Sequence, residues 1–340
     1  MRIVTSRRSV LVYVCALILT GSAGTSSAQI VESVGSRALG MGGAFVAVAS
    51  DSSATWWNPA GLAAGPYVEV AVGGGPVERA GDLPAWRDRV LGVAVTVPAL
   101  GFSYYRLRIT DIQRSDPTDQ PAASREDTQV GPSLRSFSAA SWGVTLVHSV
   151  FSGVHVATTL KYVRGTVRQD TGTAGRSPSE WLDEAEGLDG GTADNRFDMD
   201  AGVLAVVGAV RVGAVMKNLL APQFGDGAFR LPRQTRVGVA LDPARGGRPG
   251  LILAADVDAL AYETASGRRQ MVAAGVEQWF GVQRFGVRAG GRVNLTGAHE
   301  GAATAGASVL VRSGLYIDGH VVGGGADAER GWGLAGRVTF

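Results

Sequence analysis

FGVRAGGRVNL, residues 285–295, decides the fold because its side chains alternate with a period of two. Phe285, Val287 and Val293 stand at odd positions, whereas Arg288 and Arg292 stand at even positions. Successive side chains of a β-strand point to opposite faces, so this stretch has one apolar face and one charged face. The same alternation recurs in residues 196–208, 210–220, 251–261 and 331–340.

The alternating pattern predicts fourteen strands in total. They are residues 67–75, 90–98, 101–110, 136–150, 154–169, 196–208, 210–220, 234–243, 251–261, 269–280, 285–295, 301–312, 315–325 and 331–340. A soluble β-sandwich also alternates, but these strands are too many and too long for one sandwich. An even number of strands of about ten residues is typical of bacterial outer-membrane barrels. We therefore predict an all-β protein, a 14-stranded antiparallel transmembrane β-barrel over residues 67–340.

The connections support this prediction because they differ in length along the chain. Long ones follow odd-numbered strands, at 76–89, 111–135, 170–195 and 221–233, whereas most others are tight turns. Outer-membrane barrels have long extracellular loops and short periplasmic turns, so we expect both termini in the periplasm. Within the third long connection, SPSEWLDEAEG starts with Ser177, Pro178 and Glu180, the pattern of a helix N-terminus. A short amphipathic helix and a solvated acidic loop are equally consistent with it.

Residues 1–28 have the features of a secretory signal peptide. Basic residues precede an apolar stretch at 9–21, and Ala28 ends a run of small residues that suits cleavage. Cleavage after Ala28 would remove the single cysteine, Cys15, so no disulfide or thiolate chemistry is expected. The chain carries 32 Lys and Arg against 30 Asp and Glu, and this balance gives no reason to expect nucleic acid as a partner.

Residues 29–66 are too rich in glycine and too broken to form a barrel strand. They hold an apolar run and the hatch motif Trp56, Trp57, Asn58, Pro59, Ala60 and Gly61. These apolar side chains need burial, and the lumen of a barrel this wide is not filled by the wall alone. We predict that this hatch segment (residues 29–66) is a plug in the lumen. Pro59 beside Gly61 makes the motif a candidate hinge for a gate.

RALGMGGAFVAVASDSSATWWNPAGLA, residues 37–63, resembles the N-terminal signature of FadL-type outer-membrane barrels. It is most similar to the branch with the PorV/PorQ-like and TraF-like proteins. Two further segments, residues 212–220 and 231–243, resemble patterns of the same branch. The resemblance implies a barrel with a hatch, outer-membrane lipid around it, and passage of hydrophobic small molecules. The PorV-like branch implies instead a secretion or surface scaffold that binds protein partners. The terminal Phe340 resembles the signal that the barrel-assembly machinery reads.

Charged residues of both signs occupy the predicted lumen face. They are Asp198, Asp200, Arg211, Lys217, Arg236, Asp256, Asp258, Glu277, Arg288, Arg292 and Arg337. A ring of one sign would favour an ion-selectivity filter, but mixed signs favour pairing within the wall and with the hatch segment. The sequence lacks HExxH, GxSxG and P-loop motifs, and no metal-ligand cluster is evident. We therefore expect no enzyme, no metal and no cofactor.

Overall fold

The computed structural model describes residues 34–114, 131–243, 250–264, 267–297, 300–325 and 329–340. Fourteen antiparallel strands close into one barrel, which confirms the predicted fold class. Each strand pairs with its sequence neighbours, and the first pairs with the last. The predicted signal peptide and residues 29–33 of the hatch segment lie outside the described residues.

The wall strands are numbered in chain order together with four short strands of the connections. The wall consists of β1 (Glu69–Arg79), β2 (Ala85–Val97), β3 (Leu100–Gln113), β4 (Ser133–Phe151), β5 (Val154–Thr171), β6 (Ala193–Val207), β7 (Val210–Lys217), β10 (Gln234–Leu241), β11 (Leu251–Asp258), β14 (Met271–Phe280), β15 (Phe285–Asn294), β16 (Gly301–Arg312), β17 (Leu315–Gly323) and β18 (Arg330–Thr339). The short hairpins are β8 (Gln223–Phe224) with β9 (Phe229–Arg230), and β12 (Tyr262–Thr264) with β13 (Gly267–Arg269).

The two alternating faces of each wall strand form the inner and outer surfaces of the barrel. On β15, Phe285, Val287 and Val293 are exposed, whereas Arg288 and Arg292 are buried. Exposed apolar side chains recur on strand after strand, which gives the barrel the apolar outer surface that a lipid environment requires. No described helix is long and apolar enough to cross a membrane.

The first connection differs from its prediction. Strand β1 continues past Pro76, where the predicted loop 76–89 would begin, and stays in register with β2. Its pairing with β18, by contrast, is interrupted between Gly74 and Val77. Proline has no N–H to donate and is therefore tolerated where a ladder is already broken. The prediction of a long loop here is wrong, and the connection spans only residues 80–84.

The connection between β5 and β6 contains helix α3 (Pro178–Glu186), the third α-helix among the described residues. The Ser177 hydroxyl accepts a hydrogen bond from the Glu180 amide, and the Glu180 carboxylate accepts one from the Ser177 amide. These bonds to Ser177 lower the pKa of Glu180. Of the two alternatives for this stretch, the structure shows the helix.

Helix α3 packs on the outside of the barrel wall rather than over its mouth. Its buried Leu182 and Ala185 contact Ala85, Ile112 and Leu134, which lie at the ends of β2, β3 and β4 nearest the long connections. These strand ends extend beyond the segments predicted from sequence, and α3 covers their outer face.

The described part of the hatch segment is short-helical. Helix α1 (Ser36–Gly40) is followed by turns, then helix α2 (Ala54–Trp57) and a 3₁₀ helix (Pro59–Ala64). The segment then enters the wall at Glu69, the first residue of β1. Its position against the wall creates the site described next.

Candidate functional site

The hatch segment is buried against the inner face of the barrel. Phe45, Val46 and Val48 have no exposed surface, and Trp57 is 5% exposed. Helix α1 contacts β15 to β18, and the 3₁₀ helix contacts β4, β5 and β6. The segment therefore touches opposite sides of the wall.

Asp256 of β11 holds the centre of the hatch segment. Its Oδ2 atom accepts hydrogen bonds from the backbone amides of Phe45 (2.7 Å) and Val46 (2.8 Å). Both amides are completely buried, so this single carboxylate oxygen satisfies two donors that have no access to water.

Arg37 of helix α1 forms the second attachment. Its Nε and Nη2 atoms donate to the two carboxylate oxygens of Glu277, each at 2.7 Å. Glu277 also accepts from Arg288 Nε of β15 at 2.6 Å, so one buried carboxylate lies between two guanidinium groups. Bidentate arginine–carboxylate pairs fix both distance and orientation, so this contact sets how α1 sits on the wall.

The two tryptophans of the hatch motif face different surroundings. Trp57 packs edge-on against Phe45, with ring centroids 6.2 Å apart, and its indole N–H donates to the Val34 carbonyl at 2.8 Å. Trp56 packs against Tyr105 of β3 at 5.0 Å, and the Lys217 ammonium lies 3.7 Å from the Trp56 ring centroid. Trp57 therefore packs the hatch motif against the rest of the hatch segment, whereas Trp56 packs it against the wall.

Asn58 links the motif to the wall. Its side-chain N–H₂ donates to the carbonyls of Val46 (2.9 Å) and Val203 of β6 (3.0 Å). Its Oδ1 accepts from the Ala60 amide and thereby caps the 3₁₀ helix, whose first residue is Pro59. The motif is a capped, hydrogen-bonded turn with every polar group of Asn58 in use.

Glycines in the wall make room for the hatch segment. A Cβ atom added at Gly213 would lie 2.6 Å from the Val46 carbonyl oxygen, closer than real Cβ atoms approach an oxygen. The same crowding by hatch atoms occurs on three further wall strands, at Gly202, Gly275 and Gly290. Close backbone approach thus accounts for part of the chain's 49 glycines.

The predicted lumen-facing charges lie in pairs of opposite sign. The pairs are Arg211 with Asp242, Arg236 with Asp258, Arg292 with Glu329, Arg337 with Asp318, and Lys161 with both Asp198 and Asp200. Asp256, Glu277, Arg288 and Lys217 contact the hatch segment or its partners as described above. The structure thus places positive and negative charges side by side rather than in a ring of one sign.

Charged residues of the site that the sequence analysis missed include Arg37, Glu69 and Lys161, and the ion-pair partners Asp242, Asp318 and Glu329. Arg37 is the only charged residue between Val34 and Ser50, and a lone charge in a buried apolar stretch needs a counterion. That signal could have found it. Glu69, which accepts from the Ser52 amide at 2.6 Å, and Lys161 gave no comparable signal because each occupies an ordinary inward position of an alternating strand.

A cavity of about 60 Å³ lies between helix α1 of the hatch segment and the wall, lined by Arg37, Asp51, Glu69, Tyr105 and Arg337 among others. At the other end of the chain, the Phe340 amide donates to the Val68 carbonyl at 3.0 Å, and the Phe340 side chain is 75% exposed.

The barrel, with its N-terminal segment packed against the inner wall, has the fold of FadL-type channels. Solved structures that match include the CymD monoaromatic hydrocarbon channel (TM-score 0.62, 10% identity, 90% of this chain and 97% of that one). A Pseudomonas aeruginosa FadL homologue matches with a TM-score of 0.57 at 10% identity over 92% and 100% of the two chains. The Pseudomonas putida toluene transporter TodX matches with a TM-score of 0.55 at 11% identity over 92% and 98%.

A family model described as F plasmid transfer operon, TraF, protein matches residues 84–258, more than half of the chain. The chain therefore belongs to this TraF family, and the resemblance to the TraF-like branch is confirmed. No curated protein matches the sequence.

Proposed function

We propose that this protein is an outer-membrane barrel through which hydrophobic small molecules pass, with the hatch segment closing the lumen. The observation that carries the proposal is the attachment of that segment. Its apolar bulk is held to the wall at a few polar points, chiefly Asp256, Glu277 and Val203. The structural neighbours CymD and TodX, described as a hydrocarbon channel and a toluene transporter, support the same class of solute.

Two further features support the proposed location and assembly. The predicted signal peptide, with cleavage expected after Ala28, supports export, and the apolar outer wall supports a place in outer-membrane lipid. The exposed aromatic Phe340 at the end of β18 supports recognition by the barrel-assembly machinery.

The hatch motif is the proposed gate. Solute can cross only if the segment moves, and Trp56 and Trp57 are the largest side chains that resist movement. Replacing both by alanine removes two aromatic contacts and the Trp57–Val34 hydrogen bond. Large-to-small aromatic substitutions in a packed core lower stability by about 3–5 kcal/mol each, so the hatch segment of the variant should be bound to the wall far less tightly.

Planar bilayers test the gate directly. The Trp56→Ala/Trp57→Ala variant should show larger or more frequent conductance steps than the wild type. It should also admit bulky hydrophobic dyes faster. A folded variant that stays as silent and impermeable as the wild type would make the hatch segment purely structural.

A scaffold that binds protein partners, such as components of a secretion system, is the second candidate. It is supported by helix α3, which presents acidic side chains outside the wall. This candidate predicts that the protein is recovered from cells with a stable protein partner and that hydrophobic dyes enter no faster in its presence.

A further inference from the structure

A row of aromatic side chains crosses the outer face of strands β3 to β6. Tyr104, Trp142, Tyr162 and Phe197 are directly opposite one another in the strand register. Their ring centroids are 5.4, 5.8 and 5.4 Å apart in that order. Aromatic rows of this kind mark the level at which a barrel passes from hydrocarbon to headgroups.

The row borders an apolar groove on the same outer face. The next row toward the short turns is Phe102, Val144, Leu160 and Met199, in register as before. Phe102 and Leu160 are about half exposed, and the groove has a volume of about 740 Å³. Four strands at ~4.8 Å spacing make it about 14 Å wide, which is wider than one acyl chain.

Two arginines lie immediately on the other side of the aromatic row, toward the long connections. Arg106 and Arg164 both pair in register with Ala140, which stands between them. Two strand spacings place their Cα atoms about 9.5 Å apart, and the Ala140 methyl group leaves the gap between them open. Both side chains are exposed, and neither forms an ion pair or side-chain hydrogen bond within the described ranges of the chain.

The arginines nearer the long connections already have partners on helix α3. Arg87 pairs with Asp183 at 2.6 Å, and Arg89 pairs with Glu186 at 3.1 Å. Arg108 donates to the Glu186 carbonyl at 3.4 Å. Helix α3 thus supplies partners for the upper basic residues of this face and none for the two beside the aromatic row.

A charged side chain on the lipid face is costly in hydrocarbon, by about 2–4 kcal/mol for arginine at the midplane, and far less at the interface. Arg106 and Arg164 are therefore expected at headgroup level, above a groove suited to acyl chains. The anionic groups at that level are lipid phosphates, which arginine binds through paired N–H donors. The rim with long connections faces the outer leaflet if the protein has the proposed orientation.

We propose that this face binds a phosphorylated, multiply acylated glycolipid of the lipid A type. Its phosphate lies between Arg106 and Arg164, and its acyl chains lie in the groove below, against Trp142 and Leu160. The proposal rests on the outer-membrane location proposed above, but it does not depend on solute passage through the lumen.

Native mass spectrometry of the purified full chain tests this site. The probes are bisphosphorylated lipid A, dephosphorylated lipid A and inorganic phosphate. The Arg106→Gln/Arg164→Gln variant should bind bisphosphorylated lipid A at least about 100-fold more weakly, because each lost charge-assisted contact is worth about tenfold or more. Dephosphorylated lipid A should bind the wild type as weakly as the intact lipid binds the variant.

The matched control replaces two exposed arginines at the opposite rim, Arg284→Gln/Arg312→Gln, and should bind bisphosphorylated lipid A like the wild type. Equal affinities for wild type and Arg106/Arg164 variant would overturn the proposal. Full competition by inorganic phosphate would also overturn it, since the ligand would then be a free anion. So would dimers that persist with and without lipid, because a second copy would then cover the groove. Dye uptake by the Arg106/Arg164 variant should match the wild type, which separates failure of this site from failure of solute passage.

Discussion

Asp256→Ala is the substitution that isolates hatch attachment from the rest of the barrel. It removes the one acceptor of the buried Phe45 and Val46 amides and touches no other part of the hatch segment in the described hydrogen bonds. Leaving a buried donor unsatisfied costs about 1–3 kcal/mol, so two donors cost about 2–6 kcal/mol. The population of detached hatch should therefore rise by about 30-fold to about 10⁴-fold.

Amide hydrogen exchange measures that population directly. Peptides that cover Phe45 and Val46 should exchange faster in Asp256→Ala by the same factor, since exchange of a buried amide requires local opening. Asp200→Ala is the matched control. Asp200 is also an inward carboxylate that accepts a backbone amide, but its partners are Asn218 and Lys161, outside the hatch segment. Unchanged hatch exchange in a folded Asp256→Ala barrel would refute the attachment, as would equal acceleration in both variants.

Other contacts give further expected outcomes. Glu277→Ala should destabilise the protein by about 3–5 kcal/mol in urea titrations, because Arg37 loses its buried counter-charge, and a change below about 1 kcal/mol would contradict the pairing. Gly213→Ala should speed hatch exchange because its Cβ would press on the segment, whereas Gly336→Ala, with open space around its Cβ, should not. Deletion of Phe340 should lower the yield of heat-modifiable barrel in the membrane without lowering synthesis, and a normal yield would exclude it as an assembly signal.

The barrel was predictable because one physical rule acts on every wall strand. Side chains that face lipid must be apolar, so alternation in residues 285–295 and elsewhere revealed strand number and order. This rule does not apply to the parts of the strands that extend beyond the lipid. The upper ends of β2 and β4 are polar on both faces or covered by helix α3, so their starts at Ala85 and Ser133 carried no alternating signal.

The sequence indicated which kinds of residue form the site, but not which of them contact one another. Mixed charge signs indicated pairing, and the apolar run with its tryptophans indicated burial of the hatch segment. Which wall carboxylate meets which hatch group depends on strand register across the lumen, and register is a property of the closed barrel. The two amides held by Asp256 illustrate this, because backbone donors leave no trace in the sequence. The capping box indicated helix α3, but nothing in the sequence indicated that this helix packs on the outside of the wall.

Solute passage is tested most directly by the initial rate at which cells with an intact outer leaflet take up the hydrophobic dye N-phenylnaphthylamine. The rate should be lowest without the protein, higher with the wild type and highest with Asp256→Ala, at matched amounts of folded barrel. Uptake rates for the wild type and for Asp256→Ala that both stay at the rate of cells lacking the protein would contradict passage through the lumen.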